Sequence, residues 1–367
     1  GSMEGLLAAE LQERFRADLL YLSALRSYVS EGVPELPRLG GECGRTWVIC
    51  PGAELWAQQA GERAKVVQLR SRAGERRAAR RVSLGGRSEL GGLLDAYLAR
   101  EQDAALGRQH AEGGAFAGLL EQFKAVAKQA MVDVGGAGGL PDRNRTAEEA
   151  PVPIVTGLEG SARPSDEALQ HFALFSNIME NTRMAQADVY FGHVLFGLLL
   201  QRLGRRFALL KGAGMLEPAS DAARMRAQLE RSVADTPDAA AAAQFESFVA
   251  GLAAEPGAVE SLRRALELSP ATLAAARRHT SFVFGRGLRE EIFRPLARAS
   301  RASGGAGEGG AKVEHCSPFL LEAASCGELR MLSVGTEARE RLTWDGVLLG
   351  ALLHQAEASV DAEAADR

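Results

Sequence analysis

Ser165 to Gly214 reads SDEALQHFALFSNIMENTRMAQADVYFGHVLFGLLLQRLGRRFALLKGAG, and the second half of this stretch decides the fold. Between Met184 and Lys211 there is no proline, and apolar residues recur at helical spacing through Tyr190, Val194, Gly197, Leu200, Leu203, Phe207 and Leu210. Phe191, Leu195, Leu198 and Leu199 fill the opposite side. A helix that is apolar all round belongs in an interior. The unbroken run VYFGHVLFGLLL falls short of the roughly 20 residues that cross a bilayer and carries His193, so a buried core helix is expected. Gly192, Gly197 and Gly204 each weaken that helix by about 1 kcal/mol relative to alanine, a cost that implies a second helix lying close against them. Arg202, Arg205, Arg206 and Lys211 gather in the last turns, where cations suit the negative end of the helix dipole, before Gly212 and Gly214 stop the helix.

The 367 residues are 46% apolar, enough for a sizeable core, and carry a formal net charge of −4. A protein that coats nucleic acid along its whole surface is more basic than this. The leading Gly-Ser before Met3 reads as an expression scar, so any targeting peptide is expected to have been removed with it. Cys43, Cys50, Cys316 and Cys326 are not spaced as a zinc knuckle or a Cys-x-x-Cys pair. Four ordinary thiols are expected, with a redox-sensitive pair and a zinc site as the alternatives.

Outward from the core helix, Glu4 to Ser30 reads as an amphipathic helix with Leu7, Leu11, Phe15, Leu19, Leu22, Leu25 and Tyr28 on one face. Thr46–Cys50, Glu54–Ala57 and Lys65–Arg70 are short β-branched and aromatic runs split by Pro51-Gly52 and Gly61, which predicts a small antiparallel sheet. Arg70 to Arg81 is a basic run with Arg72, Arg76, Arg77, Arg80 and Arg81, expected as a solvated loop or strand edge. Clustered arginines also supply phosphate contacts, so the run is a candidate site for RNA or an acidic partner. Helices are predicted over 89–108, 115–132, 220–231, 235–254, 258–268, 270–284 and 342–360, with Ser269 capping and Pro270 opening the sixth, and a short strand over 329–334. Glycine-rich tracts near 135–153 and 300–312 read as linkers, and neither is set between a strand and a helix as a phosphate-binding loop requires.

No Gly-x-Ser-x-Gly, Walker lysine or His-Glu-x-x-His occurs, and no paired Glu-x-x-His for a di-iron bundle. The catalytic set is therefore empty, and no metal or cofactor is expected. Glu167 with His171, and His354 with Glu357, are read as one-turn surface pairs. Weak ligand candidates are His193 inside the apolar helix and His279, otherwise a core imidazole bonded to Arg206 or a neighbouring helix. Arg202 with Arg206 can clamp an anion or carboxylate, or form a salt bridge within the bundle.

Three blocks carry a resemblance. Val189-Tyr190 … Gly197 … Leu200-x-Arg202 … Arg206-Phe207-x-Leu209 resembles the most recognisable helix of a plant and algal plastid family known as domain of unknown function 760, typified by UV-B-induced chloroplast proteins. Leu262 to Gly285, closing in His279-Thr280 … Phe284-Gly285, and Trp344 to Asp361 resemble two further helices of that family. The likeness covers roughly residues 110 to 361, and Leu210 departs from the acid expected there. It implies a chloroplast, stromal compartment and a link to stress far more firmly than an activity.

The expected fold is mainly α: a helical bundle around one buried central helix, with a small antiparallel β element in the N-terminal third. Residues 1–84 are expected as an N-terminal helix plus β element and 85–367 as the bundle. The leading functional expectation is a non-catalytic soluble plastid factor, regulatory or for assembly, that binds a protein partner. A helical binder of a pigment or isoprenoid, and an RNA- or ribosome-associated protein using the basic run, are the alternatives.

Overall fold

The computed structural model describes residues 3–39, 45–49, 65–105, 116–133, 179–216, 239–255, 257–266, 268–285 and 330–365. The four cysteines, the segments 135–153 and 300–312, the expected helix over 220–231 and the run Glu54–Ala57 lie outside them. The described residues are mainly helical. They comprise α1 (Met3–Ser30), α2 (Ala73–Leu84), α3 (Gly91–Ala105), α4 (Ala117–Asp133), α5 (Arg183–Gly212), α6 (Ala239–Ala254), α7 (Ala258–Leu266), α8 (Pro270–Phe284) and α9 (Thr336–Ala365). Short strands β1 (Arg45–Ile49), β2 (Lys65–Gln68), β3 (Met179–Thr182) and β4 (Met331–Val334) complete the set.

The expected core helix is α5, begun by Thr182, whose side chain accepts from the Ala185 N–H. Its partner is α9. Contacts advance together along both helices, from His193 against Thr343 and Gly346, through Val194 and Leu198 against Gly350, to Arg202 on Glu357, so the two run in the same direction. A Cβ on Gly197 would stand 2.1 Å from the Val347 carbonyl oxygen, and one on Gly350 2.0 Å from that of Val194. The backbones therefore touch, which only residues without side chains permit.

The reciprocity has a sequence counterpart. Val194-Leu195-Phe196-Gly197-Leu198-Leu199-Leu200 and Val347-Leu348-Leu349-Gly350-Ala351-Leu352-Leu353 match in type position by position, 153 residues apart. The same shift carries Arg183–Gly212 onto Thr336–Ala365. It also carries Glu180 onto Ser333, the pair about which β3 and β4 run antiparallel. Each unit is a strand leading into a long helix, and a local two-fold relates the two. Around this pair α8 and α1 lie on one side, while α4 and α7 lie against α5 and α6 packs on α4 and α7. Phe207 of α5 is buried edge-on against Phe245 of α6 at 5.3 Å between ring centroids.

Three expectations are corrected. The sheet has the order β2-β1-β4-β3, and β1 pairs in parallel with both β2 and β4; only β3 with β4 is antiparallel. Residues 1–84 and 85–367 do not separate, because β1 and β2 join this sheet with strands from beyond residue 178 and one apolar core spans both parts. The run over 70–81 is mostly the helix α2, held by a Glu75 carboxylate that accepts from the Arg72 N–H at its start and by Gly85 at φ 55° at its end.

A further correction concerns α1. Its core face is Ala17, Leu20, Tyr21, Ala24 and Tyr28, while Leu11, Phe15, Leu19 and Leu22 point outward with Val29. Small Ala17 and Ala24 let α8 and α9 approach, and the Tyr28 hydroxyl has a buried partner described below.

The glycine contacts set opposite signs for one kind of substitution. A Cβ on Gly192 would meet none of the described residues within 4 Å, so Gly192→Ala is expected to stabilise by up to about 1 kcal/mol through helix propensity. Gly197→Ala and Gly350→Ala are expected to destabilise by about 1–3 kcal/mol, as overpacking does. Urea denaturation of the three variants checks this; a loss for Gly192→Ala or a gain for the other two would overturn the assigned crossing.

Candidate functional site

Where α5 and α9 move apart toward their C-terminal halves, a cleft of about 630 Å³ opens between them. One wall is the face of α5 formed by Arg202, Arg205, Arg206 and Leu209, spaced i, i+3, i+4, i+7. The opposite wall is the equivalent face of α9, with His354, Glu357, Ala358 and Asp361. Arg16 from α1, Arg264 from α7 and Ser269, the N-cap of α8, close its sides.

Glu357 forms the floor. It accepts from Arg202 Nη2 at 2.5 Å and from the Thr272 hydroxyl, and His354 Nδ1 stands 3.8 Å away. The Ser269 hydroxyl accepts from the Thr272 N–H at 3.1 Å and, since the Thr272 hydroxyl is committed to Glu357, donates to it at 2.7 Å. Burial works against ionisation of Glu357, but His354, Thr272 and Arg202 outweigh it and hold its carboxyl down at about 2. Arg16 pairs with Asp361 at 2.6 Å, an exposed contact of small worth.

After these pairings cationic capacity is left over. Among the described residues of the lining, five guanidinium groups face two carboxylates, a surplus of three positive charges with His354 neutral. Arg202 Nη1 and Arg16 Nε are buried without a hydrogen-bond partner among the described residues. Arg205 and Arg206 are exposed and have no ion-pair partner among the described residues, while Arg264 makes only a loose 3.7 Å contact with Glu260.

The two candidate histidines are elsewhere. Thr343 Oγ1 donates to the Arg339 carbonyl at 3.0 Å, so it accepts from His193 Nε2–H at 3.3 Å, and Tyr97 O–H donates to the bare Nδ1 at 2.7 Å. Both ring nitrogens are thereby committed within the protein. Burial depresses the His193 pKa to about 3. His279 does not meet Arg206. It lies under the Tyr190 ring with Nε2 3.9 Å from Asp345 Oδ2, some ten residues, about 15 Å, along α8 from the cleft. Burial lowers its pKa, against the pull of Asp345 and Glu35.

Asp345 is the polar group that sequence reading missed. Fully buried, it accepts from Tyr28 and, at 2.6 Å, from Tyr190, with Arg341 3.8 Å away; Arg341 also donates to the Pro34 carbonyl and lies 3.3 Å from Glu75. The arrangement ties α1, α2, α5 and α9 together as a compensated buried charge. Its signal was a lone acid in an otherwise apolar helical run. The basic run on α2 is largely neutralised: Arg76 meets Glu340 at 2.8 Å, Arg81 meets Glu31 at 2.5 Å, Arg80 meets Asp95, and Arg72 is 4.0 Å from Glu75. Arg77, and Arg70 ahead of the helix, have no such partner among the described residues. No group of His, Cys, Asp and Glu suited to a metal ion occurs among the described residues, and no helix there is long and apolar enough to cross a membrane.

Comparison with family models, with characterised proteins and with solved structures finds no match. The resemblance noted above rests on the three sequence blocks that carry it.

The buried histidine sets a pH dependence. Its folded-state pKa lies below the unfolded value of about 6.5, so the unfolded chain takes up the proton first, and stability is whole above pH 6.5 and drains as pH falls toward 3. The slope from His193 approaches 1.4 kcal/mol per pH unit. Urea midpoints over this window should fall less steeply in His193→Gln than in the native chain; parallel curves would refute the assignment.

Proposed function

We propose that this chain is a binding protein that takes an anionic group into the arginine cleft between α5 and α9. The observation that carries the reading is the unspent charge: Arg205 and Arg206 face the cleft unpaired beside the buried, unpartnered Nη1 of Arg202. Charge-assisted hydrogen bonds from guanidinium groups are the strong class of contact to carboxylates and phosphates. The buried titratable groups His193, His279 and Asp345 serve the core and do not line the cleft.

Sulfate in place of chloride at equal ionic strength tests this. At ten times its Kd, bound anion should stabilise the native chain by about 1.4 kcal/mol. The Arg205→Gln/Arg206→Gln double variant, altered only at exposed positions, should lose that gain. An equal rise in both proteins would be general salting-out and would refute the reading.

A protein partner has a separate observation in its favour. Leu11, Phe15, Leu22 and Val29 form an outward stripe on α1 at steps of four, seven and seven, each at least 60% exposed. That spacing is the seam of a helix-on-helix contact, so its occupant is an amphipathic helix of another protein. A photo-crosslinker at position 15 should capture such a segment. Crosslinks confined to a second copy of α1 would make it a homodimer face instead.

A further inference from the structure

We propose that the ligand of the arginine cleft is a non-aromatic small molecule bearing two or more phosphate groups. This rests on the anion-binding reading above and goes further by naming the chemistry.

The cleft already contains its carboxylates. Glu357 is held by Arg202 and Thr272, and Asp361 by Arg16, so one fork for one carboxylate is satisfied within the protein. What remains is a surplus of three charges, with free donors from α1 and α5 and the loosely held Arg264 of α7. A single carboxylate is saturated by one bidentate guanidinium. Donors arriving from several directions suit a tetrahedral group with oxygens on every side, and each phosphate monoester brings about 1.5 to 2 negative charges at pH 7. Two phosphates therefore match the surplus, where one would leave it part-filled.

Two features add to this. Ser269 caps the N-terminus of α8, a helix of 15 residues, and sets its positive end at the wall of the cleft, next to the buried Nη1 of Arg202 that has no partner. The volume of about 630 Å³ fits a metabolite. The described residues lining the cleft include no Phe, Tyr or Trp, and their one ring, His354, is only 13% exposed and lies against Glu357; Leu209 and Ala358 are the apolar members, so a nucleobase would find no open ring to stack on. Recognition then falls on the phosphates and not on a base. The shared chemistry is a pair of closely spaced phosphates, supplied by a linear polyphosphate or by a sugar bisphosphate.

Calorimetric titration of the full chain with tripolyphosphate, a hexose bisphosphate, citrate and ATP is the test. One phosphate probe should bind with one-to-one stoichiometry at least about tenfold more tightly than citrate, a carboxylate trianion, and the tighter of the two identifies the source. The Arg205→Gln/Arg206→Gln variant should weaken it at least about tenfold with an unchanged melting curve in the absence of ligand. Citrate binding as tightly as either phosphate probe would overturn the phosphate assignment and leave the anion site standing. ATP binding more than about tenfold tighter than tripolyphosphate would overturn the non-aromatic assignment. Heat from none of the four would remove both this inference and the reading it rests on.

Discussion

The contact on which everything else depends is the backbone approach of α5 to α9 at Gly197 and Gly350. Helix axes normally stand 8–10 Å apart because side chains hold them there. Here a carbonyl oxygen of each helix lies where the other's Cβ would be. That closeness places Tyr190 on Asp345, seats His193 against Thr343 and brings Arg202 onto Glu357. Core, buried polar group and cleft are three depths along a single crossing.

The two strand–helix units agree where they cross and differ beyond it. Val-Leu-x-Gly-x-Leu-Leu is common to both, yet the turns that follow carry arginines in α5 and carboxylates in α9. Like charges on both walls would have driven the helix ends apart, and strict complementarity would have closed them into ion pairs. An excess of cations over anions does neither: the walls are pinned at Arg202–Glu357 and stay open around Arg205 and Arg206.

How much of this the sequence disclosed follows from how local each feature is. The core helix, the Ser269-Pro270 start of α8 and the need for close approach at Gly197 were readable, because period, cap and glycine cost act within a few residues. The sheet was misread since β1 lies beside β4, nearly 290 residues away, and parallel pairing leaves no turn to read. On α1 two apolar faces compete, and the larger side chains lost to Ala17 and Ala24 because the neighbours come close. Arg202 and Arg206 were picked out, but Arg16, Arg264 and His354 join them only through the packing of α1, α7 and α9 around α5.

The 153-residue interval between the matched helices has a consequence for synthesis. When α5 leaves the ribosome, the surface that fits its glycine notch has yet to be translated, and at 5–20 residues per second the wait is on the order of ten seconds. During that time a largely apolar helix has its earlier neighbours α2, α3 and α4 to lean on, but not α9. The nascent chain is thus most exposed to aggregation midway through its production, and holdase chaperones have their natural target in α5.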